Sequence, residues 1–406
     1  MTETVHILPA DFGSGHWVGR VWDPETGGPR VVTVTAGPDE GAAVVDITHV
    51  APTVAGLMDL PDPLDVLTRA GDTARWRLDD LVEASLAQDV SRPFLLAPID
   101  LQVVKACGVT FVDSMVERVI EERCAGDASL AAEVRAQVAQ ALGGSIGELR
   151  PGSPEAAHAK EVLIGQGMWS QYLEVGIGPD PEVFTKAPVL SSVGYGSRIG
   201  IPTFSDWNNP EPELVLIADS RGRLRGATLG NDVNLRDVEG RSALLLGKAK
   251  DNNASSALGP FIRLFDAGFT VDTLRTEEIS LAVTGEDGYV LEGRNSVSRI
   301  SRPFEELAAA TFGAHHQYPD GFALFTGTLF APNQDRDTPG LGFTHKPGDA
   351  VSISSPHLGA LLNTTGIAEE LPPWRFGIRA LFGYLAAEGL TGTVPGPGRR
   401  VVPTTV

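Results

Sequence analysis

The chain has 406 residues, enough for two or three domains at roughly 150 residues each. Its formal net charge of −20 argues against nucleic acid or an anionic membrane as a partner, because their phosphates would be repelled. Two cysteines are too few for a disulfide framework or a zinc site, and no apolar run is long enough to span a membrane. The first residues show no basic stretch followed by an apolar one, so a cytoplasmic protein is expected.

Residues 1–150 are predicted to form a smaller N-terminal α+β domain. Short apolar runs separated by Gly and Pro turns favour strands over residues 1–100, with short helices at 58–70 and 77–88. From about 110 to 143, apolar residues recur every three to four positions with charged residues between them. This pattern predicts two amphipathic helices. The role of this domain stays open at this point.

Residues 151–406 are predicted to form a second, larger domain. The segment 149–155 is Pro- and Gly-containing and is a candidate linker, and a helix is expected over 155–167. Beyond residue 175, Gly, Pro, Val, Ile and Thr alternate at short spacing. This is typical of many short strands joined by tight turns, as in a β-rich sandwich, roll or barrel. The predicted fold class is therefore α+β.

An acidic pair stands at the start of a predicted hairpin. Glu211 and Glu213 are two residues apart in a strand, so their side chains point to the same face. The returning strand ends at Asp232, which a hairpin register can bring beside them. Three converging carboxylates repel one another unless a cation lies between them, and oxygen ligands without His or Cys favour Mg²⁺ or Mn²⁺. The alternative is that the Glu pair is a solvated strand face and that Asp232 is a turn residue.

Three segments of the chain resemble the fumarylacetoacetate hydrolase superfamily, namely PEPELVLI, ATLGNDVNLRDVEG and KAKDNNASSALGPFI. Within the superfamily they are most similar to the 2-keto-3-deoxy-pentonate dehydratases of the 2-dehydro-3-deoxy-arabinonate type. The similarity extends from PEVFTK at 181–186 to PGDAVSISSP at 347–356, in the C-terminal half of the chain. The resemblance implies that 151–406 is a β-rich roll or barrel that carries the catalytic site. It also implies a homo-oligomer, a dimer or a tetramer, that acts on a small 2-oxo acid.

The same resemblance assigns roles to the acidic residues and their neighbours. It implies that Glu211, Glu213 and Asp232 hold Mg²⁺, with Mn²⁺ as a possible substitute. It also implies that Lys250 lies beside the metal and that Glu182 is the second catalytic group.

Three further residues are candidates for substrate binding. Thr328, in the TGT segment, matches a substrate-contacting loop of the superfamily. Lys186 is expected either to line the anionic end of the pocket or to be a solvated strand lysine. Asn253 is expected either to bind substrate hydroxyls or to satisfy the backbone of a buried loop.

A hydrolytic base is not found where the resemblance places it. Superfamily members that cleave carbon–carbon bonds resemble each other in an Asn-Tyr-x-x-His-x-x-Glu motif, whose His–Glu pair deprotonates a water. The corresponding stretch is assigned to WSQYLEVGIGPDPEVFTK, where Tyr172 is present but no His follows. His158 and Glu161 have the right spacing but lie upstream, and they are interpreted as an exposed helical pair.

The missing base favours elimination of water over hydrolysis. Chelation of a 2-oxo acid by the metal would acidify its C3 proton, and Lys250 and Glu182 would serve as base and acid in either order. A five-carbon substrate would give 2,5-dioxopentanoate. Two alternatives remain: a C–C bond hydrolase of acylpyruvate or fumarylacetoacetate type, and a non-catalytic ligand-binding relative.

Overall fold

A computed structural model gives the structure of the chain. It describes residues 6–37, 41–70, 73–142, 149–165, 167, 169–328, 330, 334–338 and 341–391. The fold is α+β, as predicted, and three sheets carry the strands of these residues.

The strands are mostly short. They are β1 Trp17–Asp23, β2 Gly28–Ala36, β3 Ala42–Asp46, β4 Trp76–Arg77, β5 Phe94–Leu96, β6 Val103–Gly108, β7 Glu182–Ala187, β8 Arg198–Ile201, β9 Asn208–Asn209, β10 Pro212–Ala218, β11 Leu224–Asp232, β12 Asn234–Leu235, β13 Ser256–Leu264, β14 Glu278–Thr284, β15 Val290–Ser296, β16 Phe322–Phe325, β17 Ala350–Ser355 and β18 Gly359–Ile367.

The helices lie mainly in the first half of the chain. They are α1 Val54–Asp59, α2 Pro63–Arg69, α3 Leu78–Ala87, α4 Val112–Arg123, α5 Ala131–Leu142, α6 Pro154–Gly165, α7 Gln171–Ile177, α8 Arg236–Glu239, α9 Leu246–Lys250, α10 Val271–Leu274, α11 Phe304–Thr311 and α12 Ile378–Ala387. Short 3₁₀ segments occur at Phe12–Ser14, Ala128–Leu130, Ala243–Leu245 and Val297–Arg299.

The helix predictions are confirmed, with small shifts of their ends. The first of the two predicted short helices is split into α1 and α2, because Pro63 starts a new helix capped by Asp62. The second is α3. The pair of amphipathic helices is α4 and α5, and the helix after the linker segment is α6. Among the described residues, no helix combines the length and the apolar character that crossing a bilayer would require.

The largest sheet joins strands from both halves of the chain. Its order is β4-β3-β2-β1-β13-β11-β10-β16-β6-β7, with β5 paired to β1. Strand β1 is antiparallel to β13, and β6 is parallel to β16. Strand β10 is buried at all seven positions, as expected of a strand whose two faces are covered. The predicted division at residue 150 stays a prediction, but the strands on its two sides share this sheet.

A five-stranded sheet packs beside the largest one, in the order β15-β14-β17-β18-β8. Alternate residues of β14 are buried, and Ile279, Leu281 and Val283 enter the main hydrophobic core. Both sheets are open in the part of the chain described here. A closed barrel, which the sequence left as one option, is therefore not formed by these residues. The remaining pair, β9 and β12, lies next to the acidic cluster described below.

Candidate metal centre

The hairpin of β10 and β11 brings the acidic residues together. Its register pairs Glu213 with Gly230, two residues before Asp232. Glu211 lies just outside the first strand and closes the end of the ladder. Its carbonyl accepts from the amide of Asp232 at 3.0 Å, and its own amide donates to Oδ1 of Asn231 at 3.0 Å. The hairpin that the sequence predicts is therefore formed.

Glu211, Glu213 and Asp232 form a compact buried cluster. One carboxylate oxygen from each lies within 4.8 Å of the others, and the three residues are 3%, 2% and 1% exposed. Burial raises the pKa of Glu213 well above its usual range, and the charges of Asp232 and Glu211 raise it further. The alternative interpretation of a solvated strand face is wrong, because these side chains face the interior.

Two lysines contact this cluster. Nζ of Lys250 lies 2.5 Å from Oε2 of Glu211 and 3.1 Å from Oδ2 of Asp232, and Nζ of Lys186 lies 2.9 Å from Oδ1 of Asp232. Burial acts against the ammonium of Lys250, but the carboxylates of Asp232, Glu211 and Glu239 outweigh it and raise its pKa. For Asp232, burial is outweighed by Lys186 and Lys250, which lower its pKa. Lys250 is thus held as a cation in this arrangement.

Glu182 faces the same cavity from the first residue of β7. It pairs across the ladder with Gly108 of β6, and a Cβ at Gly108 would lie 1.9 Å from Oε2 of Glu182. Because glycine has no side chain, the carboxyl group of Glu182 can occupy the space beside residue 108. Burial raises the pKa of Glu182, although Lys250 and Arg118 oppose the shift. A carboxyl group in this state holds its proton at higher pH than usual.

The cavity has a volume of about 300 Å³, including its opening to solvent. It is lined by Cys107, Gly108, Val109, Ser114, Arg118, Glu182, Phe184, Glu211, Glu213, Asp232, Glu239, Lys250 and Thr328. The predicted metal ligands and both predicted catalytic groups are therefore in one place. These lining residues include no histidine.

The three predicted substrate contacts are placed differently. Thr328 lines the cavity, and its hydroxyl donates to the carbonyls of Pro212 and Phe330 at 3.3 and 3.2 Å. Lys186 is fully buried and holds Asp232, so it is not a solvated strand lysine. Asn253 is not among the lining residues, and its Nδ2 donates to the carbonyl of Ala368 at 3.2 Å. This contact fits the second expectation for Asn253, a side chain that satisfies a loop backbone.

Sequence reasoning missed two charged residues of the cavity, Arg118 and Glu239. Arg118 lies on α4, and its guanidinium contacts Glu211 and Glu239. Burial raises the pKa of Glu239 to about 7, although the positive charges of Arg118 and Lys250 partly oppose this shift. In the sequence the charges of α4 look like the solvent side of an amphipathic helix. The close spacing of Glu117, Arg118 and Glu121 in that helix was the one signal in the sequence that could have indicated these ion pairs.

Neither Tyr172 nor the pair His158 and Glu161 lines the cavity. Tyr172 is buried, and its hydroxyl donates to the carbonyl of Glu239 at 3.4 Å instead of lining the cavity. The side chains of His158 and Glu161 are 78% and 82% exposed, so the interpretation as an exposed helical pair is confirmed.

Two curated proteins are similar in sequence to part of this chain. No family model matches the chain. A 2-dehydro-3-deoxy-D-arabinonate dehydratase of Saccharolobus solfataricus is 32% identical over 182 residues, which are 45% of this chain and 57% of that protein. A probable 2-keto-3-deoxyxylonate dehydratase of Haloferax volcanii is 30% identical over 197 residues, 48% of this chain and 64% of the relative. The match thus spans less than two thirds of each curated relative.

A solved structure extends the similarity to most of the chain. It is a 2-keto-3-deoxy-D-arabinonate dehydratase complexed with magnesium and 2,5-dioxopentanoate, 21% identical, with a TM-score of 0.57 over 86% of this chain and 99% of that one. The chain therefore shares the fold of that solved dehydratase, and the fold holds a candidate metal centre. The two curated relatives are a 2-dehydro-3-deoxy-D-arabinonate dehydratase and a probable 2-keto-3-deoxyxylonate dehydratase, so the resemblance predicted from the sequence is confirmed.

Proposed function

We propose that the chain is a Mg²⁺-dependent dehydratase that removes water from a 2-keto-3-deoxy sugar acid in sugar-acid catabolism. The pentonate, which would give 2,5-dioxopentanoate, is the preferred candidate. The observation that carries the proposal is the meeting of three buried carboxylates, Lys250 and Glu182 around one cavity. The dehydratases that share sequence and fold with the chain support the same reaction class.

The donor set suits a hard divalent cation. Glu211, Glu213 and Asp232 supply oxygen atoms only, as Mg²⁺ and Mn²⁺ prefer. Burial raises the pKa of Glu213, and the mutual repulsion of the carboxylates raises it further. A cation on these oxygens would relieve that repulsion. When bound, it would supply Lewis-acid polarisation of the carboxylate and carbonyl of a 2-oxo acid, which makes the C3 proton more acidic.

The protein groups would then move two protons. Lys250, in its neutral form, would take the C3 proton, while Glu182 would give a proton to the hydroxyl that leaves C4. The immediate products are water and a 2-oxo acid with a C3–C4 double bond. For the pentonate, transfer of a proton from C5 to C3 then gives a C4–C5 enol, which tautomerises to 2,5-dioxopentanoate. Burial raises the pKa of Glu182, and this supports its role as the acid. Lys250 must lose its proton first, and a divalent cation beside it would favour this loss.

The three residues predicted to bind substrate, Thr328, Lys186 and Asn253, differ in how they would act. Thr328 would contact the substrate from the cavity wall. Lys186 would orient Asp232 and would reach the substrate only through it. For Asn253, a substrate contact stays a prediction that the cavity lining does not support. A homo-oligomer and a cytoplasmic location also stay proposals, in keeping with a small-molecule substrate.

The decisive assay compares products. The Mg²⁺-loaded protein is incubated with a panel of 2-keto-3-deoxy acids and with acylpyruvates, and the products are followed by mass spectrometry. We expect loss of one water from a 2-keto-3-deoxy acid, with its carbon skeleton intact. Splitting of acylpyruvates into two acids, with the sugar acids untouched, would instead support the C–C bond hydrolase. No turnover of any substrate, together with tight binding, would support a non-catalytic relative.

A further inference from the structure

We infer that Arg118 is a positioning residue for Glu211, so that helix α4 helps to shape the metal centre. The inference rests on the proposed function, in which Glu211 is a ligand of the cation. It concerns a residue from the first third of the chain, far in sequence from the acidic hairpin.

Arg118 and Lys250 hold the two oxygens of Glu211 separately. Nη2 of Arg118 donates to Oε1, and Nζ of Lys250 donates to Oε2 at 2.5 Å. A carboxylate held at both oxygens keeps one orientation. The other two acidic residues are oriented in comparable ways: Glu213 accepts from the amide of Gly327 at 2.7 Å, and Asp232 is held by lysines.

The guanidinium of Arg118 is itself fixed by other carboxylates. Nη1 lies 2.5 Å from Oε2 of Glu121 and 3.2 Å from Oε2 of Glu239. Its side chain is only 9% exposed. The planar fork of arginine can contact three carboxylates in fixed directions, whereas the single ammonium of lysine cannot.

A second arginine, Arg236 at the start of α8, links α4 to the segment that follows Asp232. Nε of Arg236 lies 2.6 Å from Oε1 of Glu121, its Nη2 lies 3.0 Å from Oε2 of Glu117, and its guanidinium stacks on Trp207. Because Glu121 binds both arginines, α4 and the acidic hairpin form one connected set of ion pairs. The position of Arg118 relative to Glu211 is therefore set by this network.

The test measures cation binding directly. Mn²⁺ is titrated into the full-length protein, and free Mn²⁺ is followed by electron paramagnetic resonance. We expect Arg118→Gln to weaken Mn²⁺ binding by about 10- to 100-fold, as for other groups that orient metal ligands. Loss of the positive charge alone would strengthen cation binding, so a weaker Kd reports lost orientation. We expect Arg118→Lys to bind Mn²⁺ about threefold or more weaker than wild type, but tighter than the Gln variant.

The matched control is Arg123→Gln. Arg123 is an exposed residue at the end of α4, its Nη2 donates to the carbonyl of Gly167 at 3.2 Å, and it does not line the cavity, so its loss should leave the Kd for Mn²⁺ unchanged. Wild-type or tighter binding by Arg118→Gln would overturn the inference, and so would a wild-type Kd for Arg118→Lys if the Gln variant fails to fold. If the wild-type protein itself does not bind Mn²⁺, the proposed function fails, and the inference fails with it.

Discussion

At the scale of residues, burial and neighbouring charges together set the pKa values of Glu213 and of the groups around it. A carboxylate so deeply buried beside Glu211 and Asp232 keeps its charge only if cations surround it. The alternation of a strand and the register of a hairpin predicted that these three carboxylates can converge, and the family resemblance implied their role as metal ligands. Arg118 could not be predicted in this way, because it lies 93 positions from Glu211 and meets it only through tertiary packing.

Lys250→Ala tests the proton-transfer role of this lysine. We expect turnover to fall by about 100-fold or more, because the group that would move the C3 proton is lost. Metal binding should largely persist, since the three carboxylates remain. The control is Lys248→Ala, an exposed lysine on the same helix, which should keep wild-type turnover. Steady-state rates measure the loss of turnover, and Mn²⁺ titration measures whether metal binding persists. An unchanged rate for Lys250→Ala would remove Lys250 from the mechanism.

Gly108→Ala tests the space that Glu182 occupies. A Cβ at this position would overlap the carboxyl group, so Glu182 must turn away from the cavity. We expect kcat to fall by about tenfold or more, because misplacement of a reacting group is costly. Gly383→Ala on α12 is the control, since nothing lies within 4 Å of its added methyl. Equal rates for the two variants would show that the position of Glu182 is not important for turnover.

At the scale of elements, periodicity predicted the helices and the hairpin well. The split between α1 and α2 was missed, and it depends on the Asp62-Pro63 capping pair. The polar clusters between elements were not predictable, because they join distant loops. One example is Asp349, which precedes β17 and forms a two-bond pair with Arg336, at 2.6 and 2.9 Å.

Asp349 predicts a pH dependence of stability. Burial would raise its pKa, but hydrogen bonds from His345 and Arg336 outweigh burial and lower the pKa to about 2. A carboxylate with a depressed pKa stabilises the folded state above its unfolded pKa of about 4, and this contribution is lost as the pH falls towards 2. We therefore expect Asp349→Asn to lower the free energy of unfolding by about 2 kcal/mol at neutral pH.

The measurement is urea unfolding of the wild type and of Asp349→Asn, from about pH 7 down to about pH 3. The difference between the free energies of unfolding of the two proteins should shrink once the pH falls below about 4. Asp272→Asn, whose side chain is 88% exposed, should change stability little at any pH. A difference that stays constant across the pH range would contradict the assignment to the charge of Asp349.

At the scale of the whole molecule, one sheet connects the two predicted domains. Strand β1 adds to β13, and β6 lies between β16 and β7. The sequence indicated strands in both halves, but it could not show that they pair with each other, since register between distant strands depends on the assembled core. Helix α4, from the first half, likewise contributes Arg118 to the candidate metal centre.

The shared sheet predicts that residues 151–406 do not fold when expressed alone. Removal of β1 and β6 would expose the edges of β13 and β16, whose residues are otherwise buried. We expect no cooperative thermal transition by circular dichroism for this fragment, whereas the full chain should show one. A fragment that melts cooperatively and binds Mn²⁺ would instead support a domain boundary at residue 150.

The most direct test of the metal centre is anomalous diffraction from a crystal of the full chain grown with Mn²⁺. The account predicts one strong peak bonded to an oxygen of Glu211, of Glu213 and of Asp232, at about the 2.1 Å expected for a small hard dication. A well-ordered cluster without a peak, or Mn²⁺ bound only elsewhere on the protein, would contradict it.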